Sequence, residues 1–71
     1  MEMRKGDYAT ALREWEPLAD QGDATAQYNV GVMYENGEGV PSDRKTAVKW
    51  WRLAAAQGHA PAQDRLKTFA E

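Results

Sequence analysis

Shifted by 36 positions, the chain of 71 residues lies over itself. Glu2 pairs with Glu38, Asp7 with Asp43, Thr10 with Thr46, Ala11 with Ala47, Trp15 with Trp51 and Ala19 with Ala55. The register continues through Gln21 and Gln57, Gly22 and Gly58, Ala24 and Ala60, Ala26 and Ala62, Gln27 and Gln63, and Glu35 and Glu71. Chance gives roughly one identity in fifteen positions, so this many in one register mark an internal duplication. A period of this length is the signature of stacked supersecondary units, none of which buries its apolar face alone. Such stacks present extended surfaces more often than catalytic pockets.

The stacked units read as helices. From Asp7 to Gln21 the residues Tyr8, Ala11, Leu12, Trp15, Leu18 and Ala19 recur at spacings of three and four, and Gly22 follows as a stop. Asp23 stands where an N-cap is wanted, and Ala26, Val30, Met33 and Tyr34 stripe a second helix that ends at the Asn36-Gly37-Glu38-Gly39 loop. Val40 and Pro41 leave that loop extended. Ser42 or Asp43 caps a third helix striped by Ala47, Val48, Trp50, Trp51, Ala54 and Ala55 as far as Gly58. Pro61 suits the first turn of a fourth, with Ala62, Leu66 and Phe69 facing inward. No segment alternates with the period of a half-buried strand. The expectation is one all-α domain over residues 1–71, an α/α solenoid of four antiparallel helices whose core alone contributes no more than about 3 to 5 kcal/mol.

The run from Ala26 to Gln63 resembles the Sel-one-like repeat, a relative of the tetratricopeptide repeat. The resemblance rests on Ala26, Gly31, Tyr34, the Gly37-x-Gly39-Val40 loop, Ala47, Trp50, Ala54, Ala55, Gly58, Ala60 and Ala62 in the family's order and spacing. It implies one complete repeat at about residues 24–58, flanked by half-repeats at about 6–22 and 60–71. The first copy departs from the pattern at Glu14, where the family has tryptophan, and at Pro17. Physically, Gly31 and the Ala54-Ala55 pair remove bulk where helices approach closely, which offsets the cost of about 1 kcal/mol for a mid-helix glycine. Tyr34, Trp50 and Trp51 then fill the gaps, each able to bury on the order of 150 to 250 Å². Adjacent helical residues diverge by about 100°, so the two tryptophans face different neighbours.

Several function classes fall away. Without cysteine there is neither a disulfide nor a thiolate metal site. A net charge of -2 and a pI near 5.3 give no footprint for nucleic acid. No apolar run suits a membrane span or a signal-peptide core. The reading is a soluble chain, cytoplasmic unless a removed leader made it periplasmic or secreted. It starts at MEMRKGDY, a few residues before a repeat boundary, which leaves open a fragment of a longer repeat protein. His59 and Ser42, the sole histidine and serine, fall in separate turns and make no triad. The Gly37-Gly39 loop follows a helix and lacks the lysine and hydroxyl residue of a phosphate loop. Glu14 with Glu16 and Glu35 with Glu38 read as solvated faces. No enzyme activity and no cofactor are expected.

Binding residues are placed by the resemblance. In tetratricopeptide repeats the first helix of each repeat lines the concave groove. With Gln27, Val30, Gly31 and Tyr34 turned inward, Thr25, Tyr28, Val32, Glu35 and Asn36 are left for the groove, joined by Pro61, Asp64, Thr68 and Glu71 from the matching fourth helix. Tyr28 and Val32, one turn apart, make a small apolar anchor. A second surface is the basic strip of Lys45, Lys49 and Arg52, with Arg44 beside it and Asp43, Glu14, Glu16 and Asp20 able to neutralise it. The resemblance implies an adaptor or scaffold that binds a protein or peptide, in bacterial envelope or signalling settings or in eukaryotic quality control. The alternatives are a self-associating unit that stacks end to end into homo-oligomers, and a small-ligand or hydrolytic protein. Lack of cysteine and of a serine-lysine pair counts against the last.

Overall fold

The computed structural model describes residues 5–69, with side chains from Tyr8 to Thr68. Its elements are α1 (Lys5–Asp20), α2 (Ala24–Asn36), α3 (Arg44–Ala56) and α4 (Ala60–Phe69), with no strand among the described residues. Each helix packs on its neighbours in the chain, and α2 meets α3 most extensively. This is the expected all-α stack of helices.

Capping chemistry sets the boundaries. Asp23 Oδ1 accepts from the Ala26 N–H at 2.8 Å and starts α2. Of the two candidates before α3, Asp43 is the cap. Its carboxylate accepts from the Thr46 N–H at 3.3 Å and the Thr46 hydroxyl at 2.8 Å. Those two bonds hold the carboxyl below the usual carboxylate range. Ser42 instead turns its hydroxyl back to the Glu35 carbonyl at 3.1 Å. At the far ends, Gly22, Gly37 and Gly58 have φ of 102°, 72° and 86°, a region that side-chain-bearing residues rarely enter.

The duplication reappears in the hydrogen bonds. After α1 the Asp23 N–H donates to the Leu18 carbonyl at 3.1 Å; after α3 the His59 N–H donates to the Ala54 carbonyl at 3.2 Å. Gln27 Nε2 donates to the Ala19 carbonyl at 3.1 Å, and Gln63 Nε2 to the Ala55 carbonyl at 3.2 Å. Gln57 joins the two turns, donating to the Gly22 carbonyl at 2.8 Å and to Gln27 Oε1 at 3.1 Å. Gln27 is thereby buried with its amide satisfied at both ends.

Two apolar clusters flank α2. Leu12 and Ala19 of α1 meet Ala26, Val30 and Met33 of α2, with Trp50 closing that side. On the other side Ala47, Trp51 and Ala54 of α3 meet Ala62 of α4, and Tyr28 and Val32 of α2 pack against them. The two tryptophans therefore diverge as their spacing requires. Gly31 lies against the Trp51 indole, where an added Cβ overlaps ring atoms Nε1 and Cδ1 and comes within 3.1 Å of the Ala47 carbonyl. Leu18, assigned above to the apolar stripe of α1, is instead 45% exposed, on a different side of α1 from the neighbouring Ala19, which is buried against α2. Ala55 is half-buried, while its neighbour Ala54 is sealed. The side chain of Phe69 lies outside the described residues.

Two outcomes follow from these contacts. By helix propensity alone, Gly31→Ala adds up to about 1 kcal/mol of stability. The overlap with Trp51 reverses that sign, and denaturant unfolding is expected to show a loss of about 1 to 3 kcal/mol. A more stable variant rules out the close contact. Asp43 titrates below its ordinary range in the folded chain, so its contribution is present above the unfolded value of 3.8 and is lost as pH falls through the lower folded value. Asp43→Asn keeps an N-cap acceptor and removes the titration. Melting curves between about pH 5 and pH 2 are expected to fall less steeply for this variant than for the parent chain.

Candidate interaction groove between α2 and α4

Tyr28 of α2 and Pro61, Asp64, Arg65 and Thr68 along α4 line an open groove of about 420 Å³. Tyr28 is half-buried and held on several sides. Its ring stands 5.1 Å from the His59 ring, with 47° between the planes. The Arg65 guanidinium lies 5.9 Å from the Tyr28 ring centroid and 5.7 Å from that of Trp51, within the range of cation–π attraction. The Tyr28 carbonyl accepts the Trp51 indole N–H at 3.3 Å. Further along the groove, the Thr68 hydroxyl donates to the Asp64 carbonyl at 3.2 Å. His59 Nε2 is buried and has no hydrogen-bond partner among the described residues. The groove thus offers an aromatic face packed against His59 and Arg65, with an acid, a guanidinium and a hydroxyl on its edge.

The residues named from the sequence divide among several places. Tyr28, Pro61, Asp64 and Thr68 come together in the groove. Val32 lines a separate depression of about 180 Å³, with Tyr8, Trp15, Asn29, Met33 and Glu38. Glu35 faces α3, where its carboxylate accepts from Arg44 Nε at 3.2 Å and forms an ion pair with Arg44 Nη2 at 3.1 Å. Thr25 and Asn36 are exposed near opposite ends of α2. Glu71 lies outside the described residues. Lys45, Lys49 and Arg52 are exposed on α3, and the Lys49 ammonium lies 5.3 Å from the Trp50 ring centroid. Arg65 was missed by sequence reasoning, although it follows Pro61 by four residues and precedes Thr68 by three, which puts it on their face of the helix.

A polar pair away from the groove links α1 to α2. The Tyr34 hydroxyl donates to Glu16 Oε2 at 3.2 Å, and burial followed by the facing Glu16 carboxylate pushes the phenol up from its ordinary value. Glu16 is thus a partner of α2 rather than part of a merely solvated face. Among the described residues, no group of three or more histidine and carboxylate side chains is placed to hold a metal ion. None of the described helices is long and apolar enough to cross a membrane.

Residues 24–59, which contain α2, the loop after it and α3, match the Sel1 repeat. The chain belongs to the Sel1 repeat family. The Sel1 chain is 46% identical over 63 residues to the DAP3-binding cell death enhancer 1 of Rattus norvegicus, covering 89% of this sequence and 12% of that protein. It is 47% identical over 52 residues to chitin synthase regulatory factor 3 of Schizosaccharomyces pombe, covering 73% of this sequence and 6% of that protein. A third relative, an uncharacterised protein of Neisseria meningitidis, is 41% identical over 60 residues, 84% of this sequence and 13% of its own. The relatives are mostly eukaryotic and do not support a specifically bacterial setting. No solved structure matches the Sel1 chain.

Proposed function

We propose that this Sel1 repeat chain is a protein-interaction module that receives an extended or helical segment of a partner in the groove between α2 and α4. The observation that carries the reading is the fixed exposure of Tyr28, an aromatic ring held by His59, Arg65 and Trp51 yet left open on its groove side. Interface hot spots are typically such rigid aromatic or arginine anchors, surrounded by polar groups that fix direction. Asp64 and Thr68 supply that polar edge. Two named relatives, one a DAP3-binding protein and one a regulator of chitin synthase, fit a module that works through contact with other proteins. The groove, with no assembled nucleophile and base, suits recognition rather than turnover.

Peptides selected against the chain from a random display library test this reading. Thr68→Arg fills the groove from an exposed helical position, and Tyr28→Ala removes the anchor. Both are expected to weaken the selected peptides by about 2 kcal/mol or more, as truncation of a hot spot does. A charge reversal at Lys45, Lys49 and Arg52 is expected to leave them bound. The reading fails if the charge reversal abolishes binding while the groove variants fold and bind normally.

A further inference from the structure

The turns after α1, α2 and α3 share a left-handed glycine and differ in the residue before it. Gly22 and Gly58 follow Gln21 and Gln57, whereas Gly37 follows Asn36. The difference is chemical. A side-chain amide can be attacked by the next backbone nitrogen, and asparagine then closes a five-membered ring where glutamine must close a slower six-membered one. Glycine has no Cβ to obstruct that nitrogen. The other asparagine of the chain, Asn29, lies inside α2 and is followed by the branched Val30, which crowds the approach. Asn36 and Gly37 are both exposed.

The same nitrogen belongs to the cap of α2. The Gly37 N–H donates to the Met33 carbonyl, which also accepts the Glu38 N–H at 2.9 Å. The next two carbonyls of the turn are held from beyond the loop. That of Tyr34 accepts the Asp43 N–H at 2.8 Å, and that of Glu35 accepts the Ser42 hydroxyl at 3.1 Å. The Gly37 nitrogen is therefore committed as long as the last turn of α2 stays closed.

We propose that Asn36 is a site of self-modification whose rate is set by the opening of this cap. When the turn opens, the Gly37 nitrogen gives up its proton to hydroxide and bonds to Asn36 Cγ. The bond from Cγ to the side-chain nitrogen breaks, and ammonia leaves. Water then opens the resulting cyclic imide at either carbonyl and restores a chain with a carboxylate at position 36, in aspartyl or isoaspartyl linkage. The sum is one water consumed and one ammonia released. Either product puts negative charge at the C-terminal end of α2, which already carries the negative end of the helix dipole and Glu35. The isoaspartyl form also adds a carbon to the backbone just before the two N–H groups that meet at the Met33 carbonyl. Further along the loop, an added Cβ on Gly39 stands 2.9 Å from the Ala9 backbone nitrogen, so the loop rests directly on α1. The modification thus loosens the segment that ties α2 to both α1 and α3.

The test incubates the intact chain, its Asn36→Gln variant and an end-blocked peptide of residues 33–41 side by side at mildly alkaline pH. The peptide lacks Ser42 and Asp43 and is too short to hold a helical turn. Peptide mapping by mass spectrometry is expected to find an NH2 replaced by an OH in the intact chain at position 36, in two forms separated by chromatography. The intact chain is expected to convert about tenfold more slowly than the peptide, as local opening of a helix end requires. The Asn36→Gln chain is expected to remain unconverted, and the aged parent to melt at a lower temperature than this variant aged equally. Conversion as fast as in the peptide, no product while the peptide is consumed, conversion at Asn29 instead, or an unchanged melting temperature each overturns the proposal.

Discussion

The contact between Gly31 and the Trp51 indole sets the distance between α2 and α3, and the other placements depend on that distance. A glycine in mid-helix weakens α2 by itself. The loss is offset because the absent side chain lets a large ring lie against the α2 backbone, where it is wholly buried and its one polar atom reaches the Tyr28 carbonyl. With Trp51 committed to that side, Trp50 is turned by helical geometry to the opposite cluster, where it closes the packing of α1 on α2. The carbonyl that receives Trp51 belongs to the residue whose ring forms the wall of the groove. Packing and the proposed recognition surface therefore share a single backbone position.

Much of this was legible from the residues in order. The period, the glycine stops, the aspartate caps and the divergence of the tryptophans each rest on local rules, and α2 and α3 obey them. What local rules do not supply is the identity of the neighbouring helix. Tyr28 and Val32 sit one turn apart and read as one anchor, yet they line different depressions because the start of α4 lies beside the former while α1 lies beside the latter. Leu18 belongs to the apolar stripe of α1 by spacing and is still exposed, because a stripe is buried only where something covers it. Glu35 reads as a groove residue on α2 alone, but Arg44 at the start of α3 takes its carboxylate. Arg65 was legible on its helix face and gained meaning only once Tyr28 and Trp51 were seen beneath it.

Charge contributes direction more than strength. The Arg44–Glu35 pair is largely solvated on the arginine side, where such pairs are worth about 0 to 1 kcal/mol. It ties the end of α2 to the start of α3 across the loop without fixing the fold. Gln27 is a different case. Burying an amide without partners costs about 1 to 3 kcal/mol, and here the Ala19 carbonyl and Gln57 remove that penalty. A neutral polar group is thus the more consequential link between the repeats.

The glutamine bridge also governs how such a chain can change length. Because Gln57 must reach the turn before α2 while Gln27 reaches the end of α1, successive turns are held in step along one edge of the stack. A single inserted residue within a helix rotates everything after it by about 100° and carries the amides off that edge. Gain or loss of a whole 36-residue unit preserves every one of these links. Lineages of this architecture are therefore expected to vary in the number of units they contain far more readily than in the length of any one.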